Sequence, residues 1–182
     1  MDRSTKRSEN LKNMMFAAIC AGLCPVMPLF AMLIPNGRQF LSPMHIPPLL
    51  CGLVTGPVYG AAAGLIGPLL GSMTVGTPPM AKLPQMMTEL CCYGLITGLM
   101  MKYVRSGRLR TDLWISMVTA MVLGRIAGGL VTGFIVMKGE YSIKLWAAAY
   151  FAQTAPGIAV HLIFIPAVYY ALERAGLIPR RY

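Results

Sequence analysis

Charge is what this sequence has least of. Only 12% of its 182 residues are Asp, Glu, Lys or Arg, about half the share of a soluble domain and too little to cover a water-facing surface. Acids are scarcer still, six against sixteen bases, for a formal net charge of +10. The bases sit in clusters parted by long apolar stretches, unlike a nucleic-acid binder, whose basic footprint lies on a polar surface. Disorder is excluded because the chain is 56% hydrophobic and disorder requires low hydrophobicity. The apolar runs are continuous rather than alternating, which argues against a β-barrel. An all-α polytopic membrane protein remains.

Reactive motifs are missing as well. The five cysteines, Cys20, Cys24, Cys51, Cys91 and Cys92, fall in apolar runs and form no Cys-x-x-Cys. They read as small buried hydrophobes rather than a disulfide framework or a zinc site. The sequence contains no His-Glu-x-x-His, no Gly-x-Ser-x-Gly and no Walker motif, so neither intramembrane hydrolysis nor ATP hydrolysis is expected of this chain, and no metal or cofactor is implied. His45 and His161 are expected at opposite ends of the molecule. Long linkers are lacking too, so a single membrane-embedded domain over residues 1–182 is expected.

What is present is a set of apolar runs. A bilayer core takes about 20 helical residues, and clear spans fall near 14–34, 84–102, 113–136 and 145–172. The first exceeds a signal-peptide core and has no clean small-x-small exit, so it reads as a retained helix. The stretch 46–75 is either one long helix or two short ones meeting at Gly56-Pro57, where proline removes a backbone donor and glycine permits a tight turn.

Charge placement decides between them. Two short helices make six spans with both termini on one side. Arg3, Lys6, Arg7, Lys12, Lys102, Arg105, Arg108, Arg110, Arg174, Arg180 and Arg181 then share that side, eleven bases against the four at Arg38, Lys82, Lys138 and Lys144. One long helix leaves seven against eight. Positive charge is retained in the cytoplasm, so six helices near 14–34, 45–56, 58–74, 84–103, 113–136 and 145–172 are predicted, both ends cytoplasmic.

Small residues mark close helix contacts, because lipid offers no hydrophobic drive between helices. Gly52, Gly56, Gly60 and Gly64 recur every four residues and are expected to pack the short pair against the bundle. On the first helix, Ala17 with Ala21 and Ala18 with Gly22 suit internal packing or the face of another subunit equally. Pro25, Pro28, Pro156 and Pro166 interrupt helices. Pro43, Pro47, Pro48, Pro78, Pro79 and Pro84 stiffen the outer loops.

Three ionisable residues lie well inside spans: Glu89, Arg125 and His161. Such groups are costly in a membrane and mark a site or a partner pair. At 1.5 Å per residue, Glu89 falls about 8 Å, Arg125 about 16 Å and Gln153 about 12 Å below the outer ends of their helices. Tyr93 shares a face with Glu89, Thr132 with Arg125, and Trp146 and Tyr150 a stripe with Gln153. Together they compose a small-molecule pocket, to which His45, at the outer head of the second helix, is added. The competing reading is a structural Glu89–Arg125 salt bridge with Trp146 and Tyr150 as interfacial anchors. His161 reads as a core histidine on the cytoplasmic side.

The ordered set Met44-His45-Ile46-Pro47-Pro48, Gly56-Pro57-Val58-Tyr59-Gly60, Gly67-Pro68-Leu69-Leu70, Gly76-Thr77-Pro78-Pro79-Met80 and Glu89-Leu90-Cys91-Cys92-Tyr93-Gly94 resembles the substrate-binding (S) components of energy-coupling factor (ECF) transporters. The resemblance implies a six-helix bundle in a bacterial cell membrane that binds one vitamin from outside. It also implies partners, a transmembrane coupling subunit and two cytoplasmic ATPases. On the first helix Ala17 and Ala21 match the small-x-x-x-small motif that meets the coupling subunit, with Ala18 and Gly22 beside them. Met1-Asp2 departs from the Met-His start of the metal-transporting members. Pantothenate or a B6 vitamer are the first candidate ligands, with riboflavin and folate behind. The alternatives are a structural or assembly subunit and a stand-alone secondary transporter.

Overall fold

A computed structural model describes residues 3–31, 42–136 and 155–178. They form six α-helices and no strand among the described residues: α1 (Arg3–Ala31), α2 (Ile46–Thr55), α3 (Pro57–Val75), α4 (Leu83–Tyr103), α5 (Leu109–Val131) and α6 (Ala155–Arg174). The all-α polytopic expectation is met. Four segments, Thr5–Ala31, Pro57–Val75, Leu109–Phe134 and Ala155–Arg174, are long and apolar enough to cross a membrane.

Prolines and glycines cut the chain where their backbones require it. Pro47 and Pro48 sit in the first turn of α2, where a missing N–H breaks no helical bond. The helix ends at Gly56, whose φ of 92° and ψ of −178° suit glycine far better than a residue with a Cβ, and Pro57 opens α3. A Cβ on Gly60 would lie 2.6 Å from the Cα of Gly52, whereas eight residues of continuous helix would separate them by about 12 Å. The chain therefore doubles back at Gly56-Pro57, and the two-helix reading of 46–75 is correct.

Element ends differ from the sequence reading for local reasons. α1 starts at Arg3 rather than residue 14, because the polar run before Met14 contains neither glycine nor proline to break it. α5 starts at Leu109 rather than 113. There the Asp112 carboxylate accepts from both the backbone N–H of Ser106 at 2.9 Å and its hydroxyl at 2.7 Å, tying the α4–α5 turn to the head of α5. Beyond Val131 the helix loosens into a π segment, Thr132–Val136. The expected starts of the sixth helix and ends of the first, 145–154 and 32–34, lie outside the described residues.

α4 is the central helix, packed against α2, α3 and α5, while α1 covers α3 and α2 and α6 adjoins α2 and α5. The contact with α3 is backbone on backbone. A Cβ on Gly94 would lie 2.8 Å from the Cα of Gly60, and one on Gly64 2.6 Å from the backbone nitrogen of Cys91. At the turn, Gly98 abuts Pro57, with the same 2.6 Å to its Cα. Gly52, Gly60 and Gly64 of the ladder are thus spent on internal packing, as expected, while Gly56, where an added Cβ would meet nothing within 4 Å, serves the turn.

These contacts also set the up-and-down order. Gly98 meets the Gly56-Pro57 turn, and the Tyr59 hydroxyl donates to the Asn10 carbonyl at 3.4 Å. The start of α1, the α2–α3 turn and the end of α4 therefore share one end of the bundle, where Lys6, Arg7, Lys12, Lys102 and Arg105 gather.

Gly94→Ala is expected to destabilise the protein by about 1–3 kcal/mol, since the added methyl meets backbone rather than a movable side chain. Gly22→Ala, where nothing lies within 4 Å of the new atom, is expected to be neutral. Thermal unfolding of both variants in the same detergent separates them.

Candidate functional site

Two helical pairs build the polar centre. On α4, Glu89 and Tyr93 stand one turn apart; on α5, Gly124 and Gly128 do the same. A Cβ on Gly124 would run into the Tyr93 ring, and one on Gly128 would sit 3.1 Å from the Glu89 Cβ and 3.2 Å from its Oε2. The α5 glycines therefore form the slot that receives the α4 side chains. The slot explains how an acid and a phenol fit between two packed helices.

Inside it the Tyr93 hydroxyl is the hub. It donates to Glu89 Oε1 at 2.6 Å and accepts from Arg125 Nε at 3.2 Å. All three residues are buried, with 0% of Tyr93, 3% of Glu89 and 2% of Arg125 exposed. The expected alternative of a direct Glu89–Arg125 bridge is thus modified: the phenol stands between the two charges. The Thr97 hydroxyl donates to the Tyr93 carbonyl at 2.7 Å one turn further on.

His45 closes one side. Its ring meets the Tyr93 ring edge-on, centroids 5.3 Å apart and planes at 89°, and lies 5.8 Å from the His161 ring. The expectation that the two histidines occupy opposite ends is overturned. Ten residues give α2 a rise of about 15 Å, half the bilayer core, so a helix that ends at the Gly56 turn has its head only in the middle of the bundle. Its head, with the 3-10 turn Pro43–His45 before it, is accordingly buried, and both Met44 and His45 lie inside. His161 on α6 is fully buried at the same level.

Of the other candidates, Thr132 is buried and its hydroxyl donates to the Gly128 carbonyl at 2.9 Å. Trp146, Tyr150 and Gln153 lie outside the described residues. Ala17 and Ala21 point into the protein, against α2 and α3, in the company of Cys20, Cys51, Ala63 and Gly67, while Ala18 and Gly22 lie on the exposed side of α1. All five cysteines are free. Sequence reasoning missed two participants. Gly124 carried a signal, its four-residue spacing from Gly128; His161 carried one in its depth within a span but was read as a core histidine, since only the depth of α2 brings it beside His45.

The fold and site define a polytopic helical membrane protein with a charged, hydrogen-bonded centre enclosed by its helices. Across residues 12–170 the chain matches the family described as ECF transporter, substrate-specific component, and it belongs to that family. Such a component binds a substrate for transport and is not an enzyme. No curated protein matches the chain.

Tyr93→Phe is expected to lower stability by about 1–3 kcal/mol, because Glu89 and Arg125 each lose a buried partner. Comparing its thermal unfolding with the parent protein checks this; an unchanged midpoint would mean the two charges are satisfied elsewhere.

Proposed function

We propose that this protein captures a water-soluble vitamin at the outer face of a bacterial plasma membrane and delivers it for ATP-driven import. Both termini face the cytoplasm in this reading, in keeping with the eleven bases counted on that side. ATP is hydrolysed by two partner subunits, joined to this one through a transmembrane coupling subunit. The observation that carries the reading is the Glu89–Tyr93–Arg125 chain, buried between α4 and α5 in a member of a substrate-binding family. Intramembrane charges are costly enough that they persist where they bind something or each other. A guanidinium, a carboxylate, a phenol and imidazoles in one place supply both donors and acceptors to a small polar molecule. Pantothenate and the B6 vitamers are the first compounds to test.

The partner face in this reading is the exposed side of α1. Ala17 and Ala21 are used internally, whereas at Gly22 a Cβ would meet nothing within 4 Å. Ala18 and Gly22 thus offer a smooth patch to a neighbouring membrane helix.

A ligand that binds only the folded protein at about a hundredfold over its Kd adds roughly 2.7 kcal/mol of stability. Thermal-shift screening of the purified protein against water-soluble vitamins is therefore expected to yield a stabilising compound, and Arg125→Ala to abolish that shift while the protein still inserts. A purely structural role for the charged centre predicts no shift with any vitamin. Gly22→Trp is expected to cut co-purification with the coupling subunit while leaving the vitamin shift intact.

A further inference from the structure

We infer that the site selects a substrate that is electroneutral at the pH of uptake, and that Glu89 is the residue that excludes anions. This rests on the vitamin-binding reading above and narrows its substrate class. Among the described residues, Glu89 and Arg125 are the only acid and the only Lys or Arg in the middle of a span, Asp112 lying in the first turn of α5. Through the Tyr93 hydroxyl, which accepts at 3.2 Å from one and donates at 2.6 Å to the other, they are close enough to cancel in a low-dielectric interior. The pair thus carries no net charge before anything binds.

An anionic substrate changes that balance. It shares the Arg125 charge with Glu89, 3% exposed, so two buried anions face one cation and one negative charge is left uncompensated, the costly state for such a site. An uncharged substrate carrying a donor and an acceptor disturbs neither charge. His45 fits the same class. It is 5% exposed, and neither ring nitrogen has a hydrogen-bond partner among the described residues. A neutral imidazole offers one N–H donor and one acceptor nitrogen, the complement of a hydroxyl or an amide. An unmet buried donor or acceptor gains most from a ligand that supplies its partner. Between the first candidates, the inference favours a phosphate-free B6 vitamer over the pantothenate anion.

The test uses pairs of compounds that differ mainly in charge: nicotinamide and nicotinate, panthenol and pantothenate, pyridoxine and pyridoxine 5′-phosphate, riboflavin and its 5′-phosphate. Binding to the purified full-length protein is measured by titration calorimetry at pH 7. For the pair containing the ligand, the uncharged member is expected to bind on the order of 100-fold more tightly, the scale of stranding one buried charge. In Glu89→Gln, which keeps shape and an acceptor for the Tyr93 hydroxyl, that preference is expected to shrink by about tenfold or to invert. Tighter binding of the anionic member by the parent protein overturns the inference and leaves the vitamin-binding reading standing, as does a ratio unchanged in Glu89→Gln. Failure of every compound to bind overturns both.

Discussion

One hydroxyl group organises the middle of this protein. The Tyr93 phenol lies between a buried guanidinium and a buried carboxylate and hydrogen-bonds to both. In a membrane interior this constraint outranks most others, because unpaired charge there is far more expensive than a suboptimal apolar contact. The glycines of α5 follow from it. Gly124 and Gly128 lack side chains because the space their Cβ atoms would take is filled by Tyr93 and Glu89.

The second constraint is closeness. Lipid tails reward no helix for burying leucine against leucine, so association comes from shape and backbone approach. The crossing of α3 and α4 at Gly60 and Gly94 brings two backbones into contact, and the reversal at Gly56 brings α2 onto the same helix. α4 becomes the post around which α2, α3 and α5 are arranged. The two constraints meet on that helix: one face, through Gly94, is fixed against α3, and another presents Glu89 and Tyr93 to α5. A polar centre held this way has little freedom to relax, which is what a substrate-binding component needs in order to discriminate between similar small molecules.

Much of this was legible beforehand. The six helices, the break at Gly56-Pro57 and the gathering of bases at one end all followed from apolar run lengths and charge asymmetry, both of which report directly on the bilayer. Glu89 and Arg125 stood out because their residue types at those depths are expensive, and Tyr93 because it shares a helix face with Glu89. The α1 ladder was legible only as a pattern. Spacing identified two small pairs, Ala17 with Ala21 and Ala18 with Gly22, but not which faced inward, since a helix of small residues has no strong rotational preference until its neighbours are in place.

What the amino-acid order determined by itself, then, was the class of solvent, the number and order of helices, and which side chains are too costly to sit there without a purpose. Each is a property of a residue and its near neighbours in the chain. Tertiary structure alone decided that a phenol would separate the acid from the base, and that His45 and His161 would face each other at 5.8 Å. Those outcomes depend on the rotation and depth of several helices at once, chiefly on α2 stopping halfway across. No local signal in a chain records how far its neighbours reach.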